Sequence, residues 1–303
     1  MAATLRLPRL IQRRLESSAA TLFAADQERR VDFTRPPGEA ALAAADSVSW
    51  RVFKNPISLF MGGVAAVVLE LAEPRVCAAI WGQSTFKRDP LRRLRRTGLA
   101  AMVTVYGARS VSEPLIARVT RMHERIAGIT ERGVPYSATD PELVTWVHAT
   151  AAYGFVEAYH RFVSPLSVHD VDRYFGEGVP AARLYGSPDP PQSAAKIRRL
   201  FESARTMLAP SPFIPAFLRM MSETAAFPVP MLGLQGLLVR ASLELLPETI
   251  RRRLRLDDRL ELRRHERWAV TAAARAADRI VLMQSPAVQS CLRLGLPARH
   301  LYD

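Results

Sequence analysis

Cysteine is scarce in this 303-residue chain: it occurs only at Cys77 and Cys291, which lie far apart in the sequence. Neither cysteine belongs to a CxxC pair, so the sequence predicts neither a disulfide framework nor a cysteine-ligated zinc site. The N-terminal segment has scattered arginines and no continuous apolar core followed by a cleavage site, so we expect no signal peptide. Together these features favour a reducing, cytoplasmic setting.

The chain also lacks a hydrophobic run long enough to cross a bilayer. A charge-free stretch at residues 55–69 is shorter than the ~20 apolar residues that a transmembrane helix needs. We therefore expect a buried helix there and no transmembrane segment. The sequence leaves a peripheral membrane contact open.

Negatively charged residues are outnumbered by positively charged ones. The chain has 29 Asp and Glu against 42 Lys and Arg, which gives a formal net charge of +13. The arginines recur at helical spacing, and aromatic residues are not interleaved with them as a platform for single-stranded nucleic acid requires. We expect a solvated basic face and no specific nucleic-acid partner.

Patterns typical of strands, internal repeats and low-complexity tracts are absent, and helix signals dominate. At four points an Asp or Ser stands where it could cap the first turn of a helix, and at three of them a proline follows within two residues. These predicted helix starts are Asp89 with Pro90, Ser112 with Pro114, Asp140 with Pro141, and Ser167 with Asp170. We also predict that the first of these helices ends at Tyr106–Gly107, that a long final helix covers residues 257–282, and that residues 294–303 form a tail. The sequence therefore predicts a single all-α domain over residues 1–303.

Common catalytic motifs are missing. The sequence contains no HExxH motif, no pair of Glu-x-x-His motifs, no GxSxG motif and no dinucleotide-binding glycine fingerprint. Zinc proteases, di-iron bundles, α/β hydrolases and Rossmann dehydrogenases are therefore disfavoured.

Two of the six histidines lie on apolar helix faces. His123 shares a face with Val119, Met122 and Ile126. His148 shares a face of the next helix with Val144, Ala151 and Phe155. A neutral imidazole in apolar surroundings needs a hydrogen-bond partner, a metal or both. On spacing alone, a core histidine bonded to a backbone carbonyl is the more ordinary interpretation, but two inward-facing histidines on adjacent helices indicate a buried site more strongly than one does.

A third candidate feature is the group Arg93, Arg96 and Thr97. The two arginines are three residues apart and share a helix face, and the planar guanidinium group suits carboxylates. They are candidates for holding the carboxylates of a ligand in a pocket. A solvated basic face is the alternative.

Four segments of the chain, in this order, resemble the MpaB-type oxygenase family, which shares its domain with latex-clearing protein, the rubber oxygenase. The resemblance is clearest over residues 73–191, and its most specific piece is the third segment. The segments are PRVCAAIWGQSTFKRDPLRRLRRT, RMHERIAG, YSATDPELVTWVHAT and FVSPLSVHDVDRYFGEG.

The resemblance implies a globin-like helical core that holds heme b, with one histidine on the iron, and that uses dioxygen to oxidise or cleave an apolar substrate. The axial histidine of the family matches His123 most naturally. His148 would then contact a propionate or a residue that binds the heme. If the alignment with the family is shifted, His148 would itself be the axial ligand. Thr150 matches a further family threonine at the cofactor.

The family motif R-x-x-K-T is similar to residues 93–97. Arg93 would face a heme propionate, and Arg96 and Thr97 would take the catalytic positions of the motif. Arg96 stands where the rubber enzyme has a lysine that can ligate the iron, and a guanidinium group is a poor ligand because it stays protonated. The distal side is then expected to be open or filled by another group.

The chain also departs from the family pattern. Many relatives have His-Pro where this chain has Glu73-Pro74, and the catalytic glutamate of the rubber enzyme could match Glu70 or Glu73. The sequence thus predicts a heme b-dependent oxygenase that acts with dioxygen on a hydrophobic small molecule. The alternative is a non-catalytic helical protein that binds heme or a lipid-like ligand.

Overall fold

A computed structural model describes Thr4, Gln12 and residues 31–82, 89–224, 232–256 and 261–302. The helices before the hairpin are α1 (Val48–Phe53), α2 (Pro56–Ala72), α3 (Pro74–Gly82), α4 (Pro90–Tyr106) and α5 (Arg109–His123). The hairpin consists of β1 (Ala127–Ile129) and β2 (Pro135–Ser137). The later helices are α6 (Pro141–Phe162), α7 (Val168–Glu177), α8 (Val179–Tyr185), α9 (Ala194–Ala204), α10 (Phe213–Glu223), α11 (Leu232–Glu244), α12 (Glu248–Arg253), α13 (Arg264–Ala277) and α14 (Pro286–Arg293). The predicted all-α fold is confirmed.

Helices α2 and α6 form the centre of the fold. Asn55 starts α2, because its side-chain oxygen accepts from the backbone N–H groups of Ile57 and Ser58 at 3.1 and 3.0 Å. The two helices cross with their backbones in contact: a Cβ at Gly62 would lie 2.6 Å from the carbonyl oxygen of Gly154. Helices α10, α11 and α13 pack around α2, so the predicted buried helix lies in the core.

Among the described residues, no single helix is long and apolar enough to cross a membrane. Helices α2 and α3 meet that criterion of length and composition only as a pair, bent by 110°.

Three of the predicted helix starts are confirmed by their hydrogen bonds. The Asp89 carboxylate accepts from Arg92 N–H, the Asp140 carboxylate accepts from Glu142 N–H, and the Ser167 hydroxyl accepts from Asp170 N–H. Helix α4 also ends at Tyr106 with Gly107 as its C-cap, as predicted.

The predicted start at Ser112 and Pro114 is wrong. Helix α5 begins three residues earlier, at Arg109, and Pro114 lies inside it. Ser112 is buried, and its hydroxyl donates to the carbonyl of Ala108 at 3.1 Å. The hydroxyl therefore bonds back to its own helix rather than capping a new one.

The end of the chain also differs from the prediction. Helix α13 covers only part of the predicted final helix, α14 follows it, and residues 257–260 lie outside the described part of the chain. The predicted tail packs on the body of the protein: Lys54 Nζ lies 4.4 Å from the centre of the Tyr302 ring and 3.1 Å from the Asp278 carboxylate.

The hairpin was not predicted, because the sequence shows no period of two there. Its strands are antiparallel, with Gly128 opposite Tyr136, and both strands contact α3. A Cβ at position 128 would lie 2.8 Å from the Tyr136 hydroxyl oxygen. The side chain of Tyr136 therefore packs directly on Gly128, where a larger residue would not fit.

Candidate functional site

Three helices bring Glu70, Arg93 and His123 to one place. Glu70 lies in the last turn of α2, Arg93 in the first turn of α4, and His123 is the last residue of α5. The positive charge of Arg93 acts on both neighbours: it opposes the rise in the pKa of Glu70 and contributes to the lowering of the pKa of His123. The three side chains therefore share one electrostatic environment, which we call the Glu70–Arg93–His123 cluster.

Burial dominates the ionisation of Glu70. It raises the pKa of this carboxyl group to about 7, against the smaller opposing effect of Arg93. The side chain nevertheless keeps part of its surface open. Near neutral pH this carboxyl group is poised between its acid and its anion.

Glu73 has a different environment, although it is only three residues away. It is buried, its Oε2 accepts from Val76 N–H at 2.7 Å, and its Oε1 accepts from Arg75 Nε at 2.8 Å. Both carboxylate oxygens are thus used to start α3 and to hold Arg75. The sequence left both glutamates open as the acid–base group, and the structure favours Glu70.

His123 is half-buried and neutral at ordinary pH. Burial is the larger cause of the lowering of its pKa, and the charge of Arg93 is the second. No hydrogen bond joins its imidazole to any residue in the described part of the chain. A neutral imidazole with an unused ring nitrogen is suited to bind a metal ion.

His148 lies on α6 in apolar surroundings. Burial alone lowers the pKa of its imidazole to about 4. Its ring atoms Cε1 and Nε2 lie 3.5 Å from the place that a Cβ of residue 178 would occupy. The residues of its predicted apolar face are likewise only partly buried; they are Val144, Ala151 and Phe155. This face of α6 is therefore partly accessible.

The other predicted site residues differ in their burial and in their relation to the Glu70–Arg93–His123 cluster. Arg96 is half-buried and close enough to Arg93 for its charge to lower the pKa of Arg93. Thr97 is exposed. Thr150 is fully buried, and its hydroxyl donates to the Val147 carbonyl at 3.0 Å. The structure thus brings Arg96 to the cluster but not the two threonines, whose assigned roles stay predictions.

Thr150 and His148 are two residues apart on α6, so they point to nearly opposite sides of the helix. The buried Thr150 therefore lies on the other side of α6 from the partly accessible face that carries His148.

The residues fit a heme group by their chemistry. A porphyrin supplies four nitrogen ligands itself, so one neutral histidine is enough to hold the iron. A guanidinium group beside that histidine suits a propionate carboxylate. The described residues contain no group of three or more His, Cys, Asp or Glu side chains that could hold a bare metal ion.

The fold and the cluster describe an all-α protein in which a histidine lies beside a cation and a carboxyl group whose pKa is raised to about 7. A comparison with protein families matches residues 50–279, more than half of the chain, to the family described as ER-bound oxygenase mpaB/B′/rubber oxygenase, catalytic domain. The chain belongs to this oxygenase family, as the resemblance predicted. No curated protein and no solved structure matches the chain.

Proposed function

We propose that this protein is a heme b-dependent oxygenase that acts with dioxygen on a hydrophobic small molecule. The observation that carries the proposal is the Glu70–Arg93–His123 cluster. It offers a neutral histidine without a hydrogen-bond partner among the described residues, next to a fixed positive charge.

In this proposal, His123 binds the iron and Arg93 pairs with a propionate. Because His123 is the last residue of α5, the helix fixes the position of its backbone. When bound, the heme supplies the activation of dioxygen. The remaining steps depend on side chains of this chain.

Glu70 is the proposed acid–base group. With a pKa of about 7, its carboxyl oxygen can hold a proton or accept one near neutral pH, which is the range in which general acid–base catalysis is most effective. Because Glu70 belongs to the same cluster as His123, we propose that this proton serves the reaction at the heme.

Arg96 and Thr97 are proposed as further catalytic residues. Because a guanidinium group does not deprotonate, Arg96 would supply a fixed charge to the site rather than a ligand to the iron. Thr97 follows it on the same helix, and Thr150 is proposed to support the cofactor from within α6.

His148 and its neighbours on α6 are proposed to line the substrate side. An imidazole that stays neutral down to a pH of about 4 adds little charge to that wall. An apolar wall suits a hydrophobic substrate, because binding there removes apolar surface from water. We propose a cytoplasmic location and no specific nucleic-acid partner.

The test is reconstitution of the full chain with hemin, followed by measurement of dioxygen uptake. We expect a Soret band that shifts on reduction with dithionite, and dioxygen consumption that depends on an added apolar substrate. A visible spectrum identical to free hemin would contradict the cofactor assignment. A firmly bound heme without substrate-dependent dioxygen uptake across a panel of apolar compounds would favour the non-catalytic binding protein instead.

A further inference from the structure

The outward face of the β1–β2 hairpin is apolar and exposed. Its register places Ile129 opposite Pro135, and both are exposed, as is Ala127, which shares their face two residues earlier. Ile129 is 71% exposed, and Val134 at the turn is 46% exposed. Apolar side chains that are grouped and open in this way mark an interaction surface.

Exposed arginines lie close to this face in the sequence. They lie on the last turns of α5, in the connection to β1 and in the turn of the hairpin, and all are exposed: Arg118, Arg121, Arg125 and Arg132. None of them forms an ion pair with a described residue. Two exposed glutamates, Glu124 and Glu131, share the region, so the surface keeps a surplus of positive charge.

We propose that this hairpin face docks the protein on an anionic lipid surface. The apolar residues would enter the boundary between headgroups and acyl chains, and the arginines would contact the anionic headgroups. The net charge of +13 favours the same approach from a distance. This inference does not depend on the proposed oxygenase activity.

Two other partners fit the surface less well. A stable protein interface needs about 800 Å² and 20–30 residues on each side, which is more than one short hairpin provides. A nucleic acid would use the arginines but would leave the apolar face in water. Because the hairpin begins four residues after His123, lipid docking would also bring the membrane close to the candidate site.

The test is co-sedimentation of the full chain with vesicles of phosphatidylcholine, with and without phosphatidylglycerol. We expect binding to the anionic vesicles and a fall of about tenfold in their partition coefficient for the double variant Ile129→Asp/Val134→Asp. The matched control is Val168→Asp/Met283→Asp, which makes the same charge change at two other exposed apolar positions. We expect that control to bind like the wild type. Circular dichroism and the thermal midpoint verify that both variants fold.

Several results would overturn the proposal. The proposal would be wrong if the wild type did not bind anionic vesicles, or if the two double variants lost vesicle binding equally. It would also be wrong if Ile129→Asp/Val134→Asp bound them as well as the wild type. Sedimentation without lipid is measured in parallel. A wild-type dimer that this variant converts to a monomer would assign the face to a second copy of the chain. Binding of a DNA duplex that the same variant abolishes would assign it to nucleic acid.

Discussion

Glu70 is a residue whose ionisation near neutral pH the fold changes strongly. Its pKa rises from 4.5 to about 7 because the protein surrounds it. A raised folded-state pKa contributes stability that is fully present below the unfolded-state pKa and is lost as the pH rises through the folded-state pKa. The contribution of Glu70 to stability should therefore decline between pH 4.5 and 7 and level off above that range, whereas the lowered pKa of His148 makes an opposite contribution below pH 6.5.

The variant Glu70→Gln should remove this part of the pH dependence. Since a tenfold change in ionisation corresponds to about 1.4 kcal/mol, the variant should be more stable than the wild type above pH 7 by at most about 3 kcal/mol. The difference should disappear near pH 4.5. The free energy of unfolding in urea, measured without heme over this pH range, checks the prediction.

The exposed Glu124 provides the control, because Glu124→Gln removes a solvated carboxylate. If the difference in stability between Glu70→Gln and the wild type did not change with pH, the carboxyl group of Glu70 would not be the buried, titrating group.

The environments of the site side chains were only partly predictable from the sequence. The stretch that contains Glu70 and Glu73 shows two glutamates three residues apart, and both were candidates for the acid–base role. Only the fold shows that Glu73 bonds to Val76 N–H and to Arg75. The burial of His148 among apolar residues was predictable from helical spacing. The apolar face predicted for His123 was wrong in part, because α5 ends at His123 before Ile126, Met122 is 45% exposed and the charge of Arg93 acts on the imidazole.

At the scale of elements, the crossing of α2 and α6 sets how closely the two central helices approach. A Cβ at Gly154 would lie 2.3 Å from the carbonyl oxygen of Gly62, which is closer than nonbonded atoms can approach. Gly154→Ala and Gly62→Ala should each cost about 3 kcal/mol of stability, because the helices must separate. Chemical denaturation measures the loss.

Gly63 offers a matched control in the same helix. An added Cβ there meets only Phe155 Cε1, at an ordinary 3.8 Å. Because alanine favours a helix over glycine by up to about 1 kcal/mol, Gly63→Ala should be neutral or stabilising. Equal destabilisation by all three substitutions would show that the backbone contact does not limit the packing.

Helix starts were predictable where a single side chain decides them. Asp89, Asp140 and Ser167 each accept a bond from a backbone N–H within three residues, and a motif of this length is visible in the sequence. The start of α5 has no side-chain cap hydrogen bond, so the nearby Ser112 was misleading. The hairpin depends on packing against α3, which no local pattern encodes.

At the scale of the whole molecule, Arg293 connects segments on both sides of residues 50–279 to the helical body. It is buried, and its guanidinium group donates to the carbonyls of Glu39, Phe33 and Tyr106 at 2.9, 3.0 and 2.7 Å. Burial lowers its pKa. Phe33, Glu39 and Arg293 all lie outside residues 50–279, so this one side chain joins both flanks to α4.

Arg293→Met should therefore cost about 3 kcal/mol or more, because it leaves buried carbonyls without donors. The exposed Arg275 is the control, and Arg275→Met should change stability by less than about 0.5 kcal/mol. Thermal denaturation followed by circular dichroism checks both. A small loss for Arg293→Met, or two separate transitions in the wild type, would contradict the view that the flanks fold together with the body.

The central claim is that His123 holds the iron of a heme. The most direct test is hemin titration of the wild type and of three histidine variants, followed through the Soret band. We predict that His123→Ala loses the band while its helical circular dichroism is retained. His148→Ala and the exposed control His169→Ala should keep the band. Full heme occupancy in His123→Ala together with loss of heme in His148→Ala would contradict the assignment.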